Sequence, residues 1–449
     1  MPNPERASAD TALVRAIGVR TLAASIVNST IGAGIFVLPA VVAASIGTAA
    51  PFAYAACALT MALIVTCFAM AGSRVSLTGG IYAYVETAFG PYLGFLAGVM
   101  YWVSAVFGAA GVASALASSI GAAVPVLASP VGRAGFVVVV FAGFTWLNVR
   151  GVKVGARTVE IGTLAKLLPL ALFIGAGVFF VNPAAVRPTL PADAGSVGMA
   201  MLTLIFAFVG IEVSLIPSGE IRNPSRTVPR AVYLALGVTT VLYMLIQFVA
   251  HGVLGEALAR SSTTPLASAS AVFLGDFGRN VMLAGAMISM AGYLSGDILG
   301  SPRMLFAFGR DGMLPAAFAR VHPRYRTPVL AIVVHAGVTC ALTLTGSFGK
   351  LLLIANVSVL SMYFLCCAAA WQLARRDVRT GGEPFVPPGG AAIPIAACAA
   401  VAWILAHATL EELEVEGGVL AAATIAFLVQ RLRARHTEAA GARVDEPSN

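Results

Sequence analysis

The sequence predicts an all-α integral membrane protein of twelve transmembrane helices, arranged as two inverted five-helix halves followed by two further helices. Three observations carry this expectation: long apolar runs, a one-sided distribution of arginine, and two interrupted helices spaced by half of the fold. Of 449 residues, 59% are hydrophobic and only 11% are charged, and the mean hydropathy is +0.89. Soluble domains carry about 25% charged residues, and roughly 20 apolar residues suffice to cross a bilayer. Apolar runs fall near 17–46, 51–72, 92–121, 132–149, 159–181, 198–217, 231–254, 281–301, 328–346, 350–373, 392–410 and 417–432.

The basic residues sort by side between these runs. One side collects Arg15, Arg20, Arg74, the groups within 150–157, 222–230, 310–326 and 375–379, and the C-terminal arginines. The other carries Arg133, Arg187, Arg260, Arg279 and Lys350, beside the acidic cluster Glu411, Glu412, Glu414 and Glu416. Loops rich in Lys and Arg stay in the cytoplasm, so a multi-pass protein of the cytoplasmic membrane with both termini inside is expected. The net charge of +8 follows from that bias and requires no nucleic-acid partner. The polar N-terminus lacks the charged, apolar and small-residue sequence of a cleaved signal peptide, so it is expected to be retained. The expected units are an N-terminal tail (1–14), a first repeat (15–190), a second repeat (191–375), two appended helices (376–434) and a C-terminal tail (435–449).

The first run contains Asn28–Ser29–Thr30–Ile31–Gly32–Ala33–Gly34–Ile35–Phe36. Glycine weakens a helix interior by roughly 1 kcal/mol relative to alanine. In lipid, broken helix is tolerated only where it is buried in protein or lines a cavity. The sixth run contains Phe206–Ala207–Phe208–Val209–Gly210–Ile211–Glu212, a second mid-span glycine, here followed by a carboxylate. The weak pair Phe89–Gly90 and Phe277–Gly278 precedes the third and eighth runs in the same way. Paired discontinuous helices in inverted halves are a known transporter plan. Helix N-termini bind anions and helix C-termini attract cations. Two facing breaks therefore make a cradle for a zwitterion: the amides of Ala33, Gly34 and Ile35 for a carboxylate, and the carbonyls of Thr30, Ile31, Phe206, Ala207 and Val209 for an ammonium. Gly32, Gly34 and Gly210 would let the ligand approach the backbone; the plainer reading is close helix packing.

Thr30–Ile31–Gly32–Ala33–Gly34–Ile35–Phe36 with Leu38–Pro39 resembles the first-helix signature of the amino acid–polyamine–organocation superfamily of permeases. The segment 206–212 resembles its sixth helix, and Gly219–Glu220–Ile221–Arg222–Asn223–Pro224 through Arg230 the loop that follows. Arg303, Ala307 and Arg310–Asp311–Gly312–Met313–Leu314–Pro315 resemble its eighth-helix exit, so the resemblance covers roughly residues 15–375. It implies a LeuT-like fold and secondary transport of amino acids or related amines, with Phe206 as the gate over the substrate.

Ionisable residues inside a membrane are functional hypotheses by default. Lys166 lies in the fifth run, where burial would favour loss of its proton; the plainer reading is a lysine reaching the interface. In sodium-coupled relatives a cation sits between helices 1 and 8, and the resemblance matches Lys166 to a fifth-helix lysine that replaces it. That implies sodium independence and proton coupling. Glu212 is read either as a titrating group or as a helix cap. By spacing to Arg310–Asp311–Gly312, Asp297 occupies an eighth-helix position that the resemblance turns toward the substrate side chain; pairing with Arg303 or with backbone is the alternative. Tyr363 is matched to the site from the tenth helix. Glu220, Arg222, Arg226, Arg230, Arg310 and Asp311 are expected to form salt bridges at the cytoplasmic gate.

The six cysteines lie in apolar runs, and neither they nor the five histidines show ligand spacing, so no metal or cofactor is expected. The clustered nucleophile and base of an enzyme are not visible. The expected function is an amino acid permease working by alternating access, with protons as coupling ion and the bilayer as its surroundings. An exchanger of amino acids, amines or polyamines is the alternative, and a non-transporting sensor is the third reading. The sequence leaves the oligomeric state open.

Overall fold

The structure is a computed structural model that describes residues 17–75, 80–150, 156–187, 189–191, 193–212, 221–261, 264–379 and 383–444, with backbone alone over 156–165 and 433–444. The expected N-terminal tail lies outside the described residues. The chain is helical, and an isolated parallel bridge joins Ile17 to Ile221, with the Arg222 amide donating to the Ile17 carbonyl at 3.0 Å.

The first apolar run forms two helices, α1 (Val19–Thr30) and α2 (Gly34–Ile46). Ile31, at φ −77° and ψ 82°, leaves the helical region and separates them. α2 ends at Gly47, whose φ of +54° suits glycine. α3 (Ala50–Arg74) follows, then the short α4 (Ile81–Phe89) and α5 (Pro91–Ala123), hinged at Gly90 with φ +94°. α6 (Pro130–Val149) starts where the Ser129 hydroxyl accepts from the Gly132 amide, an N-cap with proline at the first position. α7 is Ala156–Gly177.

α8 (Ala194–Phe208) is capped by Asp193, which accepts from the Ser196 amide at 2.7 Å. It stops at Val209, followed by the turn through Glu212. Then come α9 (Pro224–Leu254), α10 (Ala257–Arg260), α11 (Pro265–Gly300), α12 (Pro302–Arg310), α13 (Val329–Thr345), α14 (Phe348–Arg375), α15 (Ala392–Leu405) and α16 (Leu410–Val444). α11 starts well before the expected residue 281 and breaks at Gly275, with φ +59°, rather than at Phe277–Gly278. α16 runs past the expected boundary at 434.

Among the described residues, six helical stretches are long and apolar enough to cross a membrane, or seven when the bent pair Ala392–Leu405 and Leu410–Leu432 forms one span. The sequence suggested twelve runs. Part of the difference is physical: Ala194–Phe208 and Val329–Thr345 are apolar but short, and 15 residues of helix reach only about 22 Å of the ~30 Å hydrocarbon layer. An interrupted helix divides one crossing between two pieces.

The helices enclose one continuous apolar core. α5 packs along α14, and α11 along α7. α3 packs on α9, α6 on α13, and α2 on α8. The two interrupted segments thereby come together inside the bundle.

Candidate functional site

The site grows from the contact between the two breaks. Gly210 sits at φ +116°, and a Cβ there would lie 2.7 Å from the Ser29 carbonyl oxygen and 2.9 Å from its carbon. Only glycine allows the second break to pass so close to the first. The Ser29 hydroxyl donates to the Gly210 carbonyl at 2.8 Å and reinforces the joint. Tyr243, fully buried on α9, spans the same seam, with its hydroxyl 3.0 Å from the Thr30 carbonyl and 2.8 Å from the Ala207 carbonyl.

Loose helix ends leave backbone groups without intrahelical partners, and the two breaks meet that need oppositely. The Lys166 ammonium, on α7, donates to the carbonyls of Asn28 and Ile31, the latter at 2.9 Å. Ser289, on α11, places its hydroxyl 3.2 Å from the Gly32 carbonyl and 3.5 Å from that of Ile31. Lys166 is 8% exposed, so its charge is held by carbonyl dipoles inside the bundle rather than by water at an interface. At the second break, both Glu212 oxygens accept from the Gly210 amide at 3.1 Å. Tyr363, on α14, donates to Glu212 Oε2 at 2.7 Å. Glu212 also lines a small cavity with Tyr82, Tyr101 and Met304, with room for a water or two.

These partners narrow the expected cradle. Of the five carbonyls proposed for an ammonium, Thr30, Ile31 and Ala207 already hold protein donors. Those of Phe206 and Val209 accept no hydrogen bond among the described residues. On the opposite side, Ala33, Gly34 and Ile35 form the N-terminus of α2, where amides lack intrahelical acceptors.

Phe206 covers this opening. A methyl on Gly34 would stand 3.3 Å from Phe206 Cδ1, and one on Gly108 of α5 would stand 3.5 Å from Phe206 Cε2. Phe348 meets the Phe206 ring edge-on at 6.2 Å between centroids. Tyr293, on α11, lies 3.3 Å from where a Gly32 methyl would be and 3.4 Å from the same point on Gly108. Two aromatic rings and three glycines thus converge at the first break.

Asp297 has partners other than the Arg303 or backbone expected for it. Its Oδ2 lies 2.8 Å from His335 Nε2, and its Oδ1 accepts from the Ser301 hydroxyl at 2.6 Å. Arg303 of α12, its other expected partner, donates to the Leu299 carbonyl at the end of α11. At the arginine-rich end, Arg310 pairs with Asp311 at 2.9 Å; Glu220 lies outside the described residues. Arg74 pairs there with Asp377 at 3.5 Å, and the Arg379 guanidinium, then Arg74, holds the Asp377 carboxyl below its ordinary range.

Sequence reasoning missed Tyr243, Ser289, Tyr293, Gly108, Phe348 and His335. One signal was available: Ser289, Tyr293 and Asp297 recur every four residues, which puts them on one helix face. His335 was another, as an ionisable group in mid-span. Gly108 and Phe348 carry no such mark. Among the described residues no His, Cys, Asp and Glu cluster could hold a metal, and all six cysteines are free.

The amino acid permease family profile matches residues 17–412. A branched-chain amino acid permease of Bacillus subtilis is 26% identical over 408 residues, covering 85% of this chain and 86% of the relative. A serine/threonine exchanger of the same organism is 28% identical over 394 residues, 84% of this chain and 88% of its own. A methylthioribose transporter, also from Bacillus subtilis, is 28% identical over 402 residues, 84% and 85% of the two chains. These are transporters and not enzymes, and a multi-pass membrane protein built around two facing helix breaks fits among them. The chain belongs to the amino acid permease family, within the amino acid–polyamine–organocation superfamily.

Proposed function

We propose that this protein is a secondary active transporter that carries an amino acid across the cytoplasmic membrane by alternating access, independent of sodium and coupled to protons. The observation that carries the reading is the Lys166 ammonium on the Asn28 and Ile31 carbonyls, with Ser289 of α11 beside it. A resident ammonium occupies the oxygens that a coupling metal cation between the first and eighth helices would need. A lysine can shed and regain a proton, whereas a carbonyl cage cannot.

In this reading the substrate carboxylate meets the amides of Ala33, Gly34 and Ile35, and the ammonium meets the carbonyls of Phe206 and Val209. Phe206 closes over it, and Tyr293 faces the side chain. Glu212, held by Tyr363, caps the second break and exchanges protons through the cavity beside Tyr101. Twelve spans in an inverted five-plus-five LeuT-like arrangement, with cytoplasmic termini, account for the packing. Shifting the third-with-tenth helix pair by five, counted cyclically, gives the eighth-with-fifth pair, and both occur as α5 on α14 and α11 on α7. The hinges at Gly90 and Gly275 precede the third and eighth helices alike.

The test is uptake of labelled amino acids by proteoliposomes under an inward proton gradient without sodium. Accumulation that collapses with a protonophore is expected; strict dependence on sodium would sink the reading. The serine/threonine exchanger among the relatives keeps one alternative. Uptake that requires an unlabelled amino acid inside the vesicle, and ignores the gradient, would identify an exchanger.

A further inference from the structure

We propose that the loop leading into α13 and the end of α6 form a binding site for the phosphate headgroup of an anionic phospholipid. Its charged groups are Arg320, Arg324 and Arg326 of the loop and Arg150, which follows α6. All four residues are exposed, and none of them joins an ion pair among the described residues. Like charges gathered without carboxylates repel one another, and an anion held between them relieves that repulsion.

The loop is fixed in shape, with His322 as its pivot. The His322 amide donates to the Thr327 carbonyl at 2.8 Å, and the His322 carbonyl accepts from the Arg326 amide at 2.9 Å. Its ring accepts at Nδ1 from the amides of Arg324 and Tyr325, at 3.2 and 3.3 Å. The same ring packs on that of Tyr325 at 4.7 Å between centroids, and the Arg324 guanidinium lies over the Tyr325 ring at 5.5 Å. The turn holds Arg326 at φ +55°, a left-handed conformation that glycine or asparagine adopts at lower cost. Nothing in the turn itself asks for an arginine there. The Thr327 hydroxyl donates to the Val149 carbonyl at 2.7 Å and joins the loop to the last turn of α6. Arg326 and Arg150 each stand one residue from that bond, so the loop and the helix end present their charges together. Retention of arginine on one side of the membrane requires only that such residues be present; it does not require them to be gathered on a fixed loop.

The patch lies where acyl chains meet headgroups. Little of α6 is buried inside the protein. Trp146, in its last turn, is 54% exposed, and the Arg150 guanidinium sits 4.1 Å over its ring. Tryptophan marks the headgroup level of a bilayer, and the cation–π contact holds the arginine at that level. Leu147 beside it, and Leu330 and Val333 at the start of α13, are exposed as well. Guanidinium forks match phosphate oxygens in pairs. The apolar side chains below them match the acyl chains of the same ligand, which a free phosphate lacks.

The site goes beyond the proposed transport and rests only on the chain lying in a membrane. The experiment adds phosphatidylglycerol, phosphatidylcholine or inorganic phosphate to the purified full-length protein in neutral detergent. Native mass spectrometry counts the bound molecules. The main variant is Arg320→Gln with Arg324→Gln; Arg150→Gln, which leaves the loop untouched, tests the same site from α6. Arg431→Gln on α16 is the control for general charge. Exposed positions such as these change stability little, and melting temperatures without lipid check that each variant folds. Wild type is expected to prefer phosphatidylglycerol over phosphatidylcholine. The double variant should lose about tenfold or more of its affinity for phosphatidylglycerol, Arg150→Gln should weaken it in the same direction, and the control should keep it. Equal affinity of wild type for the two lipids, unchanged binding in the double variant, or an equal loss in the control would overturn the proposal. Inorganic phosphate that binds as tightly as phosphatidylglycerol would overturn it too, by showing a site for the anion alone.

Discussion

The two helix breaks solve one problem with opposite charges. The first, between α1 and α2, exposes carbonyls at its helix end and receives an ammonium from Lys166 and a hydroxyl from Ser289. The second, after α8, exposes the Gly210 amide and receives the carboxylate of Glu212, itself held by Tyr363. The sign of each partner follows from which backbone group is orphaned, as the dipole of a helix end requires. One break also borrows its partner from a distant helix, while the other carries it two residues away. The first is therefore the more exposed to changes elsewhere in the bundle.

The largest effect is expected where the two breaks touch. Gly210→Ala forces a methyl to 2.7 Å from Ser29 O at a backbone angle that alanine resists. A loss of about 3 kcal/mol or more is expected from strain and overpacking together. Gly34→Ala, with its nearest neighbours at 3.3 Å, should be much milder. Thermal unfolding of the two purified variants ranks them; equal melting temperatures would mean the breaks are not pressed together.

Next come the two charged partners. Lys166→Ala leaves the Asn28 and Ile31 carbonyls without their donor and should cost about 2–3 kcal/mol, with gradient-driven uptake abolished. Glu212→Gln keeps an acceptor for the Gly210 amide, so it should unfold close to wild type while its uptake loses part of its pH dependence. If Glu212→Gln proved the less stable variant, the contrast between a remote and a local partner would fail.

The smallest effect is expected at the seam itself. Tyr243→Phe removes one hydroxyl shared by the Thr30 and Ala207 carbonyls, worth about 1–2 kcal/mol. A double-mutant cycle with Ser29→Ala measures whether the two hydroxyls act together. Strict additivity would show that they hold the breaks independently.

The relatives sharpen what the cradle can decide. They are named for branched-chain amino acids, serine or threonine, and methylthioribose. A backbone cradle for charged groups is common ground, so selectivity must lie in what surrounds it. Here those neighbours are Tyr293, Phe206, Phe348 and Gly108, on which the Tyr293 and Phe206 rings close.

The sequence by itself determined the features that depend on local chemistry. Hydropathy marked the membrane helices, and glycines beside polar residues marked both breaks, because a helix cannot hide such a weakness in lipid. Lys166 and Glu212 were legible for the same reason, as charges are rare in apolar runs. Only the tertiary structure decided the partners: that Lys166 meets Ile31, that Tyr243 spans both breaks, and that Asp297 meets His335. These contacts join residues 38 to 213 positions apart. A single chain records which groups need a partner; which ones meet is set by how the helices pack.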